Sequence, residues 1–76
     1  MQTVTLPELG EGISDAVVAC WHFREGDSVS KDDDLLEVVT DKASFNIPTH
    51  FSGKIKKIHV REGDQAKVGQ SLVDIE

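Results

Sequence analysis

Cysteine is almost absent from this chain: of 76 residues only Cys20 carries a thiol, so no disulfide can close within it. Small secreted folds usually rely on such bridges, and a reducing, intracellular compartment is therefore expected. Basic residues are also scarce. Eight Lys and Arg stand against fourteen Asp and Glu, for a net charge of −6. That argues against nucleic acid as a partner, because binding there is driven by Lys and Arg contacts to phosphate; a basic protein surface suits the charge better. No apolar run is long enough to span a bilayer, and the N-terminus MQTVTLPELG lacks the basic start and apolar core of a signal peptide, so no membrane partner is expected. Sustained helical periodicity is missing too: no helical stretch repeats apolar residues at i, i+3, i+4 and i+7.

What remains is ordinary for a globular domain, with 38% hydrophobic and 29% charged residues. A chain of this length makes one small domain that buries only about 60% of its unfolded surface. It stops at Glu76, at the end of a strand-like run. Residues 1–76 are accordingly expected to form a single domain, either a very small protein or one part of a longer chain.

The most informative feature is an internal repeat. HFREGDSVSKDDDLLEV (His22 to Val38) aligns without gaps on HVREGDQAKVGQSLVDI (His59 to Ile75), at an offset of 37 residues. Five of the first six positions are identical, among them Gly26-Asp27 and Gly63-Asp64, which read as tight turns that tolerate φ > 0. A looser echo at an offset of 41 links VTLPE (from Val4) with FNIPT (from Phe45), which leaves about four extra residues in the first copy, in LGEGI. Short Val, Ile, Leu and Phe runs punctuated by Gly, Pro, Asp and Ser read as strands throughout. Two copies of one strand–turn–strand unit predict an all-β fold of two similar sheets related by a pseudo-two-fold axis. In VACWHF and IKKIHV the apolar anchors (Val18, Trp21, Phe23; Ile55, Ile58, Val60) are spaced three and then two. A β-bulge at that point would return all of them to the core and leave Cys20 outside it, as an accessible thiol.

Few residues suggest chemistry. GEG (Gly10 to Gly12) lacks the further glycines and the following helix of a phosphate loop. The run Asp32 to Asp34 lacks the alternating acids and terminal Glu of a calcium loop, and reads as a solvated turn. His22, His50 and His59 have no ligand spacing, so no metal is expected. No serine sits in a nucleophile motif, and no catalytic residue is assigned. Lys42 stands apart. It occupies the tip of a hairpin between the runs Leu35 to Thr40 and Ser44 to Pro48, flanked by Asp41 and Ala43, and the repeat suggests a tip close to the pseudo-axis. A solvated ammonium is a poor base, and a tip lysine is most often only a solubilising charge. On a rigid tip it is also a good point for covalent attachment by another enzyme.

LPELGEGI (Leu6 to Ile13), EGDSV (Glu25 to Val29), TDKAS (Thr40 to Ser44), SGKI (Ser52 to Ile55) and the terminal VGQSLVDIE together resemble the lipoyl domains of the acyltransferase components of 2-oxo acid dehydrogenase complexes. The resemblance covers the whole chain and keeps the family spacing, with Gly26 lying 16 residues before Lys42 and Gly53 lying 11 after it. It implies a flattened β-barrel, a barrel-sandwich hybrid of two four-stranded antiparallel sheets, with the termini meeting in the sheet opposite Lys42. It also implies lipoic acid in amide linkage on Lys42, added by a lipoylating enzyme that recognises the folded hairpin.

In that family the arm swings between active sites. It takes an acyl group from a thiamine diphosphate-dependent decarboxylase and delivers it to coenzyme A at the acyltransferase core. A flavin-dependent dihydrolipoyl dehydrogenase then reoxidises it. Thr40, Asp41, Ala43 and Ser44, with the loop Gly10, Glu11 and Gly12, become the expected recognition residues. Gly26, Asp27, Gly53, Gly63 and Asp64 become structural turns. The domain itself is expected to be no enzyme but the N-terminal part of an acyltransferase chain. The pyruvate complex is the expected setting, in a bacterial cytoplasm or a mitochondrial matrix. Two other readings remain: a biotin carrier, which usually flanks its lysine with methionines, and an unmodified adaptor barrel.

Overall fold

The computed structural model describes residues 1–76 and contains only strands: β1 (Gln2–Thr5), β2 (Asp15–Trp21), β3 (Ser28–Val29), β4 (Asp34–Val39), β5 (Ser44–Pro48), β6 (Gly53–Ile58), β7 (Gln65–Lys67) and β8 (Ser71–Ile75). They pair antiparallel in two four-stranded sheets, as the resemblance implies, and the strand orders are β1-β8-β6-β3 and β5-β4-β2-β7. The body is flattened, 32 × 20 × 17 Å. Its core is fifteen apolar side chains and one polar, Thr49. The Thr49 hydroxyl donates to the Phe51 carbonyl (2.8 Å) and accepts from the Phe51 N–H (3.0 Å), so its burial leaves nothing unpaired.

The 37-residue repeat is a structural one. Backbone bonds of the first copy recur in the second. His22 N–H donates to Leu35 as His59 does to Leu72, and Gly26 N–H to Ile55 as Gly63 does to Val18. The predicted bulges are present: register shifts between Val18 and Cys20 against β4, and between Ile55 and Lys57 against β8. Val18, Ile55 and Val60 are buried, while Trp21, Phe23 and Ile58 pack against the core half-buried. Cys20 is also half-buried rather than open, its thiol 3.9 Å from the Glu37 carboxylate across the β2–β4 ladder.

Three expectations about register and turns need correction. First, Val4 pairs with Val73, and Ile47 pairs with Leu36, the residue equivalent to Val73. Val4 therefore corresponds to Ile47, 43 residues on, and the first copy carries six extra residues before β2, not four. The echo slipped by two positions, which keeps side-chain parity and so hides the error in a hydrophobic pattern. Second, only Gly26 and Gly63 take positive φ in the two GD turns. Asp27 and Asp64 act instead through their carboxylates, each accepting the N–H three residues back, from Arg24 and Arg61, at 2.9 Å. Third, Gly53 is no turn residue; it opens β6, opposite Val29.

The pseudo-axis passes through a groove lined by equivalent pairs: Trp21 with Ile58, Phe23 with Val60, and Glu25 with Glu62. Here the halves exchange carboxylates. Glu62 accepts the Trp21 N–H (3.3 Å) and Glu25 the Ile58 N–H (2.9 Å), filling the gaps that the bulges leave in each ladder. Strand β2 runs from that groove to its other end at Asp15, where Val17 pairs with Val39 beside the hairpin tip. The tip thus lies several strand residues from the axis, toward one end of the 32 Å body. It does not lie on the axis, as the repeat had suggested.

In the other sheet, Asp74 ties β1 and β6 to β8. The Thr3 hydroxyl donates to it at 2.8 Å and His59 Nε2 lies 3.1 Å away. The Thr3 bond, opposed by partial burial and reinforced by His59 and Lys57, holds its carboxyl below the ordinary aspartate value. A depressed folded-state value stabilises the fold above the unfolded pKa of about 3.9, and that contribution fades as pH falls through the folded value. Asp74→Asn is expected to lose less melting temperature than the parent between pH 5 and pH 2. Parallel acid titrations of thermal melts that superimpose for the two proteins would refute this.

Candidate functional site

The β4–β5 hairpin is built for a tight tip. β4 alternates inward Leu36 and Val38 with outward Glu37 and Val39, and β5 answers with inward Ile47. The ladder runs to the Val39–Ser44 pair, and Thr40 N–H then donates to the Ala43 carbonyl at 2.8 Å. Asp41 and Lys42 are left as a two-residue tip, one residue shorter than the sequence suggests. Neither has positive φ, so this is not one of the mirror-image turns that suit the twist of two-residue hairpins.

Thr40 compensates. Its hydroxyl donates to the Ala43 carbonyl at 2.9 Å and accepts from the N–H groups of Lys42 and Ala43, each at 3.1 Å. A residue expected to meet partners is therefore occupied in fastening the tip. Thr40→Val is expected to cost about 1 kcal/mol, the net worth of a hydrogen bond or two. It should also expose the Lys42 and Ala43 amides to fast hydrogen exchange, while Thr40→Ser keeps them protected. Unchanged exchange in Thr40→Val would mean that the Thr40–Ala43 backbone bond suffices.

The other expected residues divide. Asp41, Lys42, Ala43 and Ser44 are exposed, as are Gly10, Glu11 and Gly12. The Lys42 ammonium makes no hydrogen bond or ion pair. The loop between β1 and β2 comes to the tip through Gly12: a Cβ there would lie 3.4 Å from Lys42 Nζ. Gly10 turns instead toward Ile13, whose N–H donates to its carbonyl at 3.2 Å, and Glu11 makes no side-chain hydrogen bond. Gly26, Asp27, Gly53, Gly63 and Asp64 are not brought to the tip; they serve the fold. Sequence reasoning missed a neighbour of the tip, the exposed cross-strand pair Val17 and Val39. Its only sequence signal is two valines at outward positions, which means little until the β2–β4 register is known.

The chemistry available here is that of a primary amine on a fastened tip, free of partners, with open space beyond it. That fits amide attachment of a carboxylic acid: no ion pair must be broken, and the loss of one surface charge strands no counter-ion.

Comparison with known proteins agrees with this geometry. Residues 2–75 match the biotin/lipoyl family described as "biotin-requiring enzyme". The chain is 46% identical over 71 residues, 93% of its length, to the lipoamide acyltransferase component of the mitochondrial branched-chain alpha-keto acid dehydrogenase complex of Bos taurus. It is 39% identical over 71 residues, again 93% of its length, to the dihydrolipoyllysine-residue acetyltransferase component of the pyruvate dehydrogenase complex of Staphylococcus aureus. The chain spans only 15 to 16% of these relatives. The solution structure of the lipoyl domain of the 2-oxoglutarate dehydrogenase complex from Azotobacter vinelandii superposes with a TM-score of 0.78 at 29% identity, covering 100% of this chain and 96% of that one. The chain belongs to the biotin/lipoyl family of attachment domains, and its likeness within that family is to the lipoyl domains of acyltransferase components of 2-oxo acid dehydrogenase complexes.

Proposed function

We propose that this domain is an acyl carrier, with lipoic acid joined to Lys42 by an amide bond. The observation that carries the reading is the Lys42 amine itself, exposed and unpaired on a tip fastened by Thr40. Lys42 Nζ supplies the amine of the amide and gives up its charge. Thr40 holds the backbone on both sides of it, so the attachment point stays directed away from the barrel. Gly12 leaves the space beside the amine open. The attached group supplies, at the end of a long flexible chain, a disulfide that can be reductively acylated and later reoxidised.

The partners this implies are a lipoylating enzyme, a thiamine diphosphate-dependent decarboxylase, the acyltransferase core that passes the acyl group to coenzyme A, and a dihydrolipoyl dehydrogenase. Asp41, Ala43 and Ser44 face these partners at the tip, and the loop Gly10 to Gly12 contributes to recognition by the decarboxylase. Residues 1–76 themselves transfer nothing. The acyltransferase chemistry belongs to the remainder of a longer parent chain, of which this is the N-terminal domain. Branched-chain and pyruvate relatives both appear, so the acyl group is taken at the class they share, that of a decarboxylated 2-oxo acid, and the pyruvate expectation is not carried forward. The relatives are bacterial and mitochondrial, which supports a bacterial cytoplasm or a mitochondrial matrix.

Intact mass after co-expression with a lipoate ligase and lipoate, with peptide mapping, tests the reading. One lipoyl group on Lys42 is expected. An unmodified chain, in cells where a known lipoyl domain is modified, would overturn it. Biotin on Lys42 in its place would select the biotin-carrier alternative.

A further inference from the structure

Beside the tip lies a depression of about 480 Å³, lined among others by Gly12, Ile13, Asp15, Val17, Val39 and Asp41. Its floor is unusual for this protein. Only four large apolar side chains are exposed, Met1, Val17, Val39 and Val68, and two of them, Val17 at 38% and Val39 at 36%, are direct cross-strand partners here. Each points outward because its neighbours Ala16, Val18 and Val38 point into the core. The valines therefore add nothing to the barrel interior.

Resting on the carrier reading, we propose that the Val17–Val39 pair is the central contact for the lipoylating enzyme, which meets it with an apolar side chain flanked by basic ones. Three observations support that occupant. The depression is continuous with the attachment point: Gly12 lines it and also lies beside Lys42 Nζ. Its rim carries Asp15 and Asp41, on a chain of net charge −6, which suits a basic partner. The third is a matter of area. Even a weak encounter buries on the order of 500 Å² per partner, against a total surface of 4615 Å². Asp41, Lys42 and Ala43 cannot supply that much, so an enzyme that acts on the folded tip must extend onto adjoining surface. An apolar centre with a polar rim is the arrangement such contacts take.

The test is the kcat/KM for lipoylation of the purified domain by a bacterial lipoate ligase, with lipoate and ATP, followed by intact mass. Val17→Ser/Val39→Ser is expected to lower it roughly tenfold, the scale for losing central interface side chains. Val68→Ser, equally exposed but outside the depression, should be modified at the parental rate. Should the serine pair lower the melting temperature, Val17→Thr/Val39→Thr, which keeps the β-branched shape, decides instead. Modification of the paired variant at the parental rate would overturn the proposal. So would normal lipoylation followed by a selective loss of reductive acylation by the decarboxylase, which would assign the pair to that enzyme. A parent domain that is never modified would instead defeat the carrier reading itself, so the two failures are distinguishable.

Discussion

Lys42→Arg is expected to abolish lipoylation completely while leaving stability within about 0.5 kcal/mol of the parent, the range of exposed substitutions. Loss of modification follows from chemistry: a guanidinium stays protonated and does not form the amide. The small effect on folding follows from the structure. The Lys42 side chain is exposed and unpaired, and the bonds at the tip are made by backbone groups and the Thr40 hydroxyl, none of which the substitution touches. Gly12 lies beside the amine and carries no side chain to obstruct a longer one. Intact mass and a thermal melt on the same sample check both halves. Retained modification would place attachment on one of the other lysines. A large loss of stability would make Lys42 a structural residue and restore the adaptor reading.

Gly53→Ala has the largest expected effect on the fold, about 2–3 kcal/mol. An added Cβ would fall on the carbonyl oxygen of Glu76, with Ile75 Cγ2 at 2.9 Å on its other side. The backbone cannot yield cheaply. Lys54 N–H donates to that same carbonyl at 3.1 Å and the Lys54 carbonyl accepts from Glu76 N–H at 2.8 Å, so relief would open the end of the β6–β8 ladder. Overpacking of this kind costs about 1–3 kcal/mol, and the residue's φ of +158° adds strain for any L side chain. For a domain of this size the loss corresponds to a melting temperature lower by roughly 15 °C. Gly63→Ala is the control. Its φ is +93° but nothing lies within 4 Å of the added atom, so only the left-handed penalty of about 1–2 kcal/mol applies. Equal losses in the two variants would show that backbone conformation, not the clash with Glu76, governs position 53.

Much of this was legible because the chain states its fold twice. An anchor spacing of three and then two, found at Val18-Trp21-Phe23 and again at Ile55-Ile58-Val60, predicts the bulges. The repeated GD pair locates both turns. The errors fell where the pattern was silent. β1 and β5 are short edge strands with few anchors, so a slip of two residues between Val4 and Ile47 preserved every inward position. That Thr40 also fastens the tip could not be read from its identity; it follows only from the positions of the Lys42 and Ala43 amides.

The order of residues by itself determined the strand content, the pairing of two like halves, the bulges and Lys42 as the residue at the tip. These are local or repeated properties, set by side-chain alternation and turn chemistry over a few residues. Tertiary structure alone decided where the pseudo-axis runs, that Glu25 and Glu62 cross it to cap the opposite half, and that Val17 meets Val39 beside the tip. Each of these brings together residues more than twenty positions apart. Such proximity depends on register and on how two sheets face one another, and neither is encoded in any short stretch of the chain.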